Sequence, residues 1–180
     1  MEKILIPQLK ENLKAAFKRT TTWVENQPIE NFNKEITEGK WTIAQHVFHL
    51  TKSTKAVSKG MSMPKMVLRT MFGKNNREER TLDQLRNKYK GVLAQTGMKA
   101  PPEYSAKVDR QFELKPLIKR FNGELEDMLK ALDKFDEAAL TKHIMPHPAV
   151  GKLTIREFMY FTILHTDHHL ELMKRLNLKK

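Results

Sequence analysis

The sequence contains no cysteine. That excludes a disulfide scaffold, a thiolate zinc site and a cysteine nucleophile. It has no run approaching the roughly 20 apolar residues that cross a bilayer, so no membrane partner is expected. The first residues, MEKILIPQLKENL, meet an acidic side chain at once and hold no long apolar core, which argues against a secretory signal. The cytoplasm is the simplest compartment for such a chain. No stretch carries a strand signal of any weight, and there is no internal repeat. The HExxH motif of helix-borne metalloproteases is also missing, so no helical glutamate base is visible.

Charge of one sign is in excess. There are 33 lysines and arginines against 21 acidic residues, a formal net charge of +12. The basic residues are scattered from Lys3 to Lys180, and the densest groups, KNNREER at 74–80 and the stretch 174–180, are short. No basic segment interleaves with aromatics in the manner of a single-strand binder. The surface therefore reads as solvated. No specific nucleic-acid partner is expected, and any such binding should be weak and fall steeply with salt.

At 180 residues and 39% hydrophobic content, the chain is expected to form one domain, residues 1–180, with a sizeable core. Residues 2–26 read as a helix with Ile6, Leu9, Leu13, Phe17, Thr20 and Val24 on one face, closed by Pro28. Residues 41–59 read as the second, with Thr42 and Gln45 forming a capping box. In 60–76, Pro64 and Gly73 bracket a short helix, and Met61, Met63, Met66 and Met71 read as fillers of irregular gaps. Thr81 and Gln84 mark another capping box, for a helix over 81–95 that Gly97 stops. Residues 113–134 repeat a four-three spacing through Leu114, Ile118, Phe121, Leu125, Met128 and Leu132. A loop is expected over 136–152. The last helix starts at Thr154, with Glu157 completing its box and Leu153 and Phe158 stapled across it. Amphipathic helices without strands predict an all-α four-helix bundle, with extra short helices in the long crossover between its second and third long helices.

The last helix carries the clearest chemical signal. Phe158, Thr162, His165, His169, Leu172 and Leu176 form one stripe with steps of four and three. His165 and His169 thus share an interior face one turn apart, where two imidazoles can hold one metal ion. Two core histidines satisfied by hydrogen bonds are the ordinary alternative, and two in register shift the balance towards a ligand pair. If the second and last long helices run antiparallel, His49 stands level with this pair and supplies a third nitrogen. Spacing alone divides the third position between His46 and His49, and leaves His168 as a rival to His169. Three neutral histidines with a vacant position suit a divalent ion, zinc first, with nickel or iron as alternatives. Asp167 and Glu171 read as solvent-facing, His46 and His168 as surface or capping residues ahead of roles as bases or as groups that orient a ligand, His147 as a loop residue, and His143 carries no signal.

The stretch WTIAQHVFHL, 41–50, resembles the second helix of the DinB-like superfamily, which includes YfiT-type metal hydrolases and bacillithiol transferases. The family pattern of a Trp, an acidic or amide residue, then a metal-binding His followed by Leu falls on Trp41, Gln45, His49 and Leu50. The stretch HPAVGKLTIREFMYFTILHTDHHL, 147–170, is similar to the family's second motif, whose two ligands fall on His165 and His169. The resemblance implies a DinB/YfiT-type bundle with a metal held by His49, His165 and His169. It also implies either thiol transfer or a fold without assigned chemistry. A metal-dependent thiol S-transferase or hydrolase acting on a small molecule, for example a low-molecular-weight thiol, is the leading expectation. A non-catalytic metal-binding bundle comes next and a basic nucleic-acid-binding bundle last. A homodimer is left open.

Overall fold

The computed structural model describes residues 3–96, 102–105 and 110–177. Four long helices carry the architecture: α1 (Ile6–Glu25), α2 (Ile43–Met61), α5 (Leu114–Leu132) and α7 (Ile155–Asn177). α1 packs on α7, α7 on α2, α2 on α5 and α5 on α1, so the four close a ring around one core. The apolar faces read from the sequence point inward. Leu9, Leu13, Phe17 and Val24 of α1 are buried, as are Ile118, Phe121, Met128 and Leu132 of α5. Phe17 and Phe121 stack across the α1–α5 contact, 4.3 Å between centroids. Between α2 and α5 the crossover adds α3 (Lys65–Phe72) and α4 (Leu82–Thr96), and α4 lies against α7.

The three capping boxes form as expected. Thr42 Oγ1 accepts from the Gln45 amide at 3.1 Å while Gln45 Oε1 accepts from the Thr42 amide at 2.9 Å. Thr81 and Gln84 repeat this before α4, and Thr154 and Glu157 before α7. Each box satisfies two amides that the first turn leaves without partners. Gly97, the expected stop of α4, lies outside the described residues.

The segment 136–152 departs from the loop reading. It holds a helix α6 (Glu137–Lys142), capped by Asp136, and a hairpin of β1 (Ile144–His147) and β2 (Gly151–Thr154). Six helical residues span less than two turns, too few to show a period. Strands of four residues with a proline in β1 show no alternation either. The turn is closed locally: His147 Nδ1 accepts from the amides of Ala149 and Val150 at 3.1 and 3.3 Å, and Gly151 takes φ +79°. That φ is open to glycine without cost. The methionines also divide. Met61 is buried and Met63 rests on the core, but Met66 and Met71 stand exposed on α3 instead of filling gaps.

The basic-looking KNNREER segment proves to be half of a buried ionic network. Glu157 is fully buried and receives two hydrogen bonds from Arg77, at 2.8 and 2.6 Å, and one from the Arg80 amide at 2.8 Å. Arg156, 2% exposed, donates to Glu79 at 3.0 Å, to Glu137 at 2.6 Å and to the Ile4 carbonyl at 2.6 Å. Glu79 also accepts from Thr154 and Thr141. The network fastens the crossover, the N-terminal end of α1 and α6 to the first turn of α7.

Removing one member of a buried pair leaves its partner charged in a dry place, at about 3–5 kcal/mol. Glu79→Ala should therefore lower unfolding free energy by about that amount in urea titration, since Arg156 cannot reach water. Glu78→Ala, one residue away and exposed, should stay within about 0.5 kcal/mol of the parent. Equal effects from the two would remove the distinction between the buried and exposed halves of the motif.

Candidate metal centre

Four imidazoles meet where α2 faces α7. His46 and His49 come from the second turn of α2, His165 and His169 from the middle of α7, and all four are buried. His46 pairs with His169 and His49 with His165, so residue numbers rise on one helix as they fall on the other. The helices are antiparallel, as the level argument requires.

His49 Nε2 lies 3.0 Å from His165 Nε2, and His169 Nε2 lies 3.0 Å from the same atom. Nitrogens bound at about 2.0–2.1 Å to one ion stand about 2.9–3.4 Å apart. The three residues therefore fit a metal, and as a group they could hold one. The outer nitrogens support this arrangement. His49 Nδ1 is 3.1 Å from the Tyr104 carbonyl, which can only accept, so the proton sits on Nδ1 and Nε2 presents a lone pair. His169 Nδ1 is 2.8 Å from His46 Nδ1, an N–H···N contact that fixes the plane of the His169 ring.

His46 thus contradicts the surface or capping reading. It is 5% exposed and touches a member of the three. Its spacing from His49, one turn along the same face, was the only available hint. His168 is half-buried beside the Tyr89 ring, 5.7 Å away, and is not one of the three. His147 is a strand residue whose ring lies 4.1 Å from Phe161, which in turn stacks on His165. His143 is buried, and its Nδ1 has no hydrogen-bond partner among the described residues. Asp167 pairs with Arg19 at 2.7 Å, facing outward, and Glu171 is exposed. Trp41, immediately before the α2 cap, lies nearly parallel to His169 at 6.0 Å and within 5.4 Å of His46 and His49. It roofs the cluster.

Burial sets the charge state. Desolvation, then repulsion from neighbouring imidazoles, lowers His46 to about 3. Desolvation lowers His49 to about 4, against the Tyr104 hydrogen bond, which works the other way. His165 and His169 are pushed well below the usual histidine range by the same causes. At neutral pH all four rings are uncharged, the form that binds a metal. Tyr89, whose ring edge faces His165, has its phenol raised by burial and keeps its proton. Beside the cluster opens a cavity of about 1410 Å³, lined by all four histidines, Trp41, Tyr89 and Tyr104 among others.

A family model for the DinB superfamily matches residues 12–173. No curated protein and no solved structure matches the chain.

The neutral cluster has a pH signature. As pH falls, the unfolded chain protonates its histidines near 6.5, while the folded rings resist until about 4 or below. The unfolded state gains protons first, so stability is full above pH 6.5 and is lost below it, by up to about 1.4 kcal/mol per pH unit for each ring. Melting temperatures of the metal-free protein should be level from pH 8 to 7 and fall between pH 6.5 and 5. A level profile down to pH 5 would mean that the rings already carry protons in the fold.

Proposed function

The chain belongs to the DinB superfamily, and from that premise we propose that it is a metal-dependent thiol S-transferase or hydrolase whose divalent ion, zinc first, is held by His49, His165 and His169. The observation that carries this reading is the convergence of three buried, neutral imidazoles, with the Nε2 atoms of His49 and His169 each 3.0 Å from that of His165, open on one side to a cavity. Three protein ligands leave a coordination position for a reactant, whereas structural zinc sites are closed by four. Nickel and iron(II) remain alternatives for the same donor set.

A divalent ion held there supplies Lewis acidity, which lowers the pKa of a water or thiol so that a nucleophile exists near neutral pH. The chain's own residues do the rest. The Tyr104 carbonyl and His46 hold His49 and His169 with their Nε2 atoms turned inward. Trp41 and Phe161 cover ring faces of His169 and His165. With no cysteine in the chain, the nucleophile comes from outside the protein. Lys40 and Arg175, exposed at the rim of the cavity, suit a thiol that carries a carboxylate. The second reading, a bundle that binds the ion without catalysis, uses the same ligands and separates from the first only by activity.

Protein purified without a His-tag should hold one divalent ion per chain by elemental analysis. His49→Ala, His165→Ala and His169→Ala should each abolish stable binding while helical circular dichroism survives. His46→Leu should weaken zinc affinity about 10–100-fold, the usual cost of losing the partner that orients a ligand. His168→Ala should leave it unchanged. Retention of the ion in His169→Ala with loss in His168→Ala would shift the ligand register by one residue.

For activity, the ion-loaded protein should accelerate conjugation of a thiol, drawn from cysteine, glutathione and coenzyme A, to 1-chloro-2,4-dinitrobenzene or monobromobimane. The rate should vanish on chelation and in His165→Ala. Uniform absence of a metal-dependent rate, in a chain that binds the ion, would favour the non-catalytic reading.

A further inference from the structure

The cavity beside the imidazoles changes character along its length. On α2, the residues that line it are Gln45, His46, His49, Ser53, Ala56, Val57 and Gly60, all within one broad face of the helix. Beyond His49 these side chains become small, and Ala56 is exposed to the opening they leave. Antiparallel α7 supplies Arg175 and Leu172 at one end, His169 and His165 in the middle, and Phe161 and Phe158 at the other. Lys40 lies at the Arg175 end, whereas Met63, Phe72 and Met145 close the Phe158 end. The cavity therefore runs from a rim where the cations Lys40 and Arg175 outnumber the carboxylate of Glu35, past the imidazoles, into an apolar end. Its volume, about 1410 Å³, exceeds the about 300–1,000 Å³ typical for one drug-sized ligand. Tyr89 adds an independent mark. It is 8% exposed and lines the cavity beside His165, yet no protein group among the described residues hydrogen-bonds its hydroxyl. The hydroxyl opens to the cavity, where a solvent or ligand atom can supply its partner.

We propose that the apolar end of this cavity, bounded by Ala56, Val57, Met63, Phe72, Met145 and Phe158, binds the hydrophobic body of a small-molecule substrate whose polar end reaches Tyr89 and the imidazoles. This rests on the catalytic reading for the word substrate, and on the cavity alone for binding. The cationic rim then takes the other, anionic reactant, and the two meet at the three imidazoles. Apolar contact area, and not hydrogen bonding, sets affinity at this end.

The test uses the full chain free of metal, so that its outcome is separate from that of the ion-binding tests. The probe is 8-anilinonaphthalene-1-sulfonate. Its fluorescence should rise and saturate at one site per chain. Butanoate, hexanoate and octanoate should displace it, each added methylene tightening binding about fourfold. Ala56→Trp, which fills the apolar end from an exposed backbone position, should weaken the probe at least tenfold with an unchanged thermal melt. The double variant Met66→Ser, Met71→Ser, which removes the exposed apolar face of α3, should bind it as the parent does. No saturable binding, displacement that is insensitive to chain length, or loss of the probe in the α3 variant would overturn the proposal. Any of these would leave the ion-binding reading standing on its own tests. If Ala56→Trp fails to fold, the displacement series in the parent chain still decides.

Discussion

Two opposite charges sit side by side at the start of α7 with no access to water. Arg156 and Glu157 are held there because Glu79, Arg77 and the Arg80 amide answer them from the crossover, and Glu137 from α6. Such an arrangement adds little net stability over an apolar cluster of equal volume, since desolvation offsets most of the attraction. What it supplies is position. The crossover satisfies these members from residues 77–80, which are tied directly to the first turn of α7. That placement lays α4 against α7 and brings Tyr89 to the edge of His165. The helix that carries His165 and His169 and the wall opposite it are tied by the same ionic contacts.

The imidazole cluster is the converse case, a set of polar groups kept dry without countercharge. Among the described residues no acid pairs with the three histidines, so burial and mutual repulsion leave them neutral. Neutral rings still need partners for their N–H groups, and here those partners are a backbone carbonyl and a fourth histidine. Ring orientation follows from that accounting. Trp41 and Phe161 then add apolar cover on the exposed faces. Hydrogen bonding and desolvation together bring three ring nitrogens to one place.

Much of this was legible in the sequence. The four-three spacing on α7 put His165 and His169 on one face, and Thr-x-x-Gln or Thr-x-x-Glu marked three helix starts within a residue or so. Spacing could not choose between His46 and His49, because both fall on the inner arc of α2. The structure uses both, one inside the convergent set and one behind it. The Tyr104 carbonyl was invisible, since a backbone acceptor carries no residue signature. The KNNREER segment misled for a different reason: local composition reports charge but not burial, and its partners lie about 80 residues downstream. α6 and the hairpin were hidden by their brevity, with too few residues to express either period. Met66 and Met71 show that a methionine-rich stretch can present part of itself outward.

The position of the ligands along the chain has a topological consequence. His49 and His165 are 116 residues apart. An ion gripping both would knot the chain into a covalent-like loop of that length, spanning the entire crossover and α5. In a disulfide, closing a loop of this size restricts the unfolded ensemble by about 4–5 kcal/mol in the chain-entropy description. A protein without a single cysteine would thereby possess a reversible cross-link, one set by the supply of free ion in its surroundings and not by their redox poise.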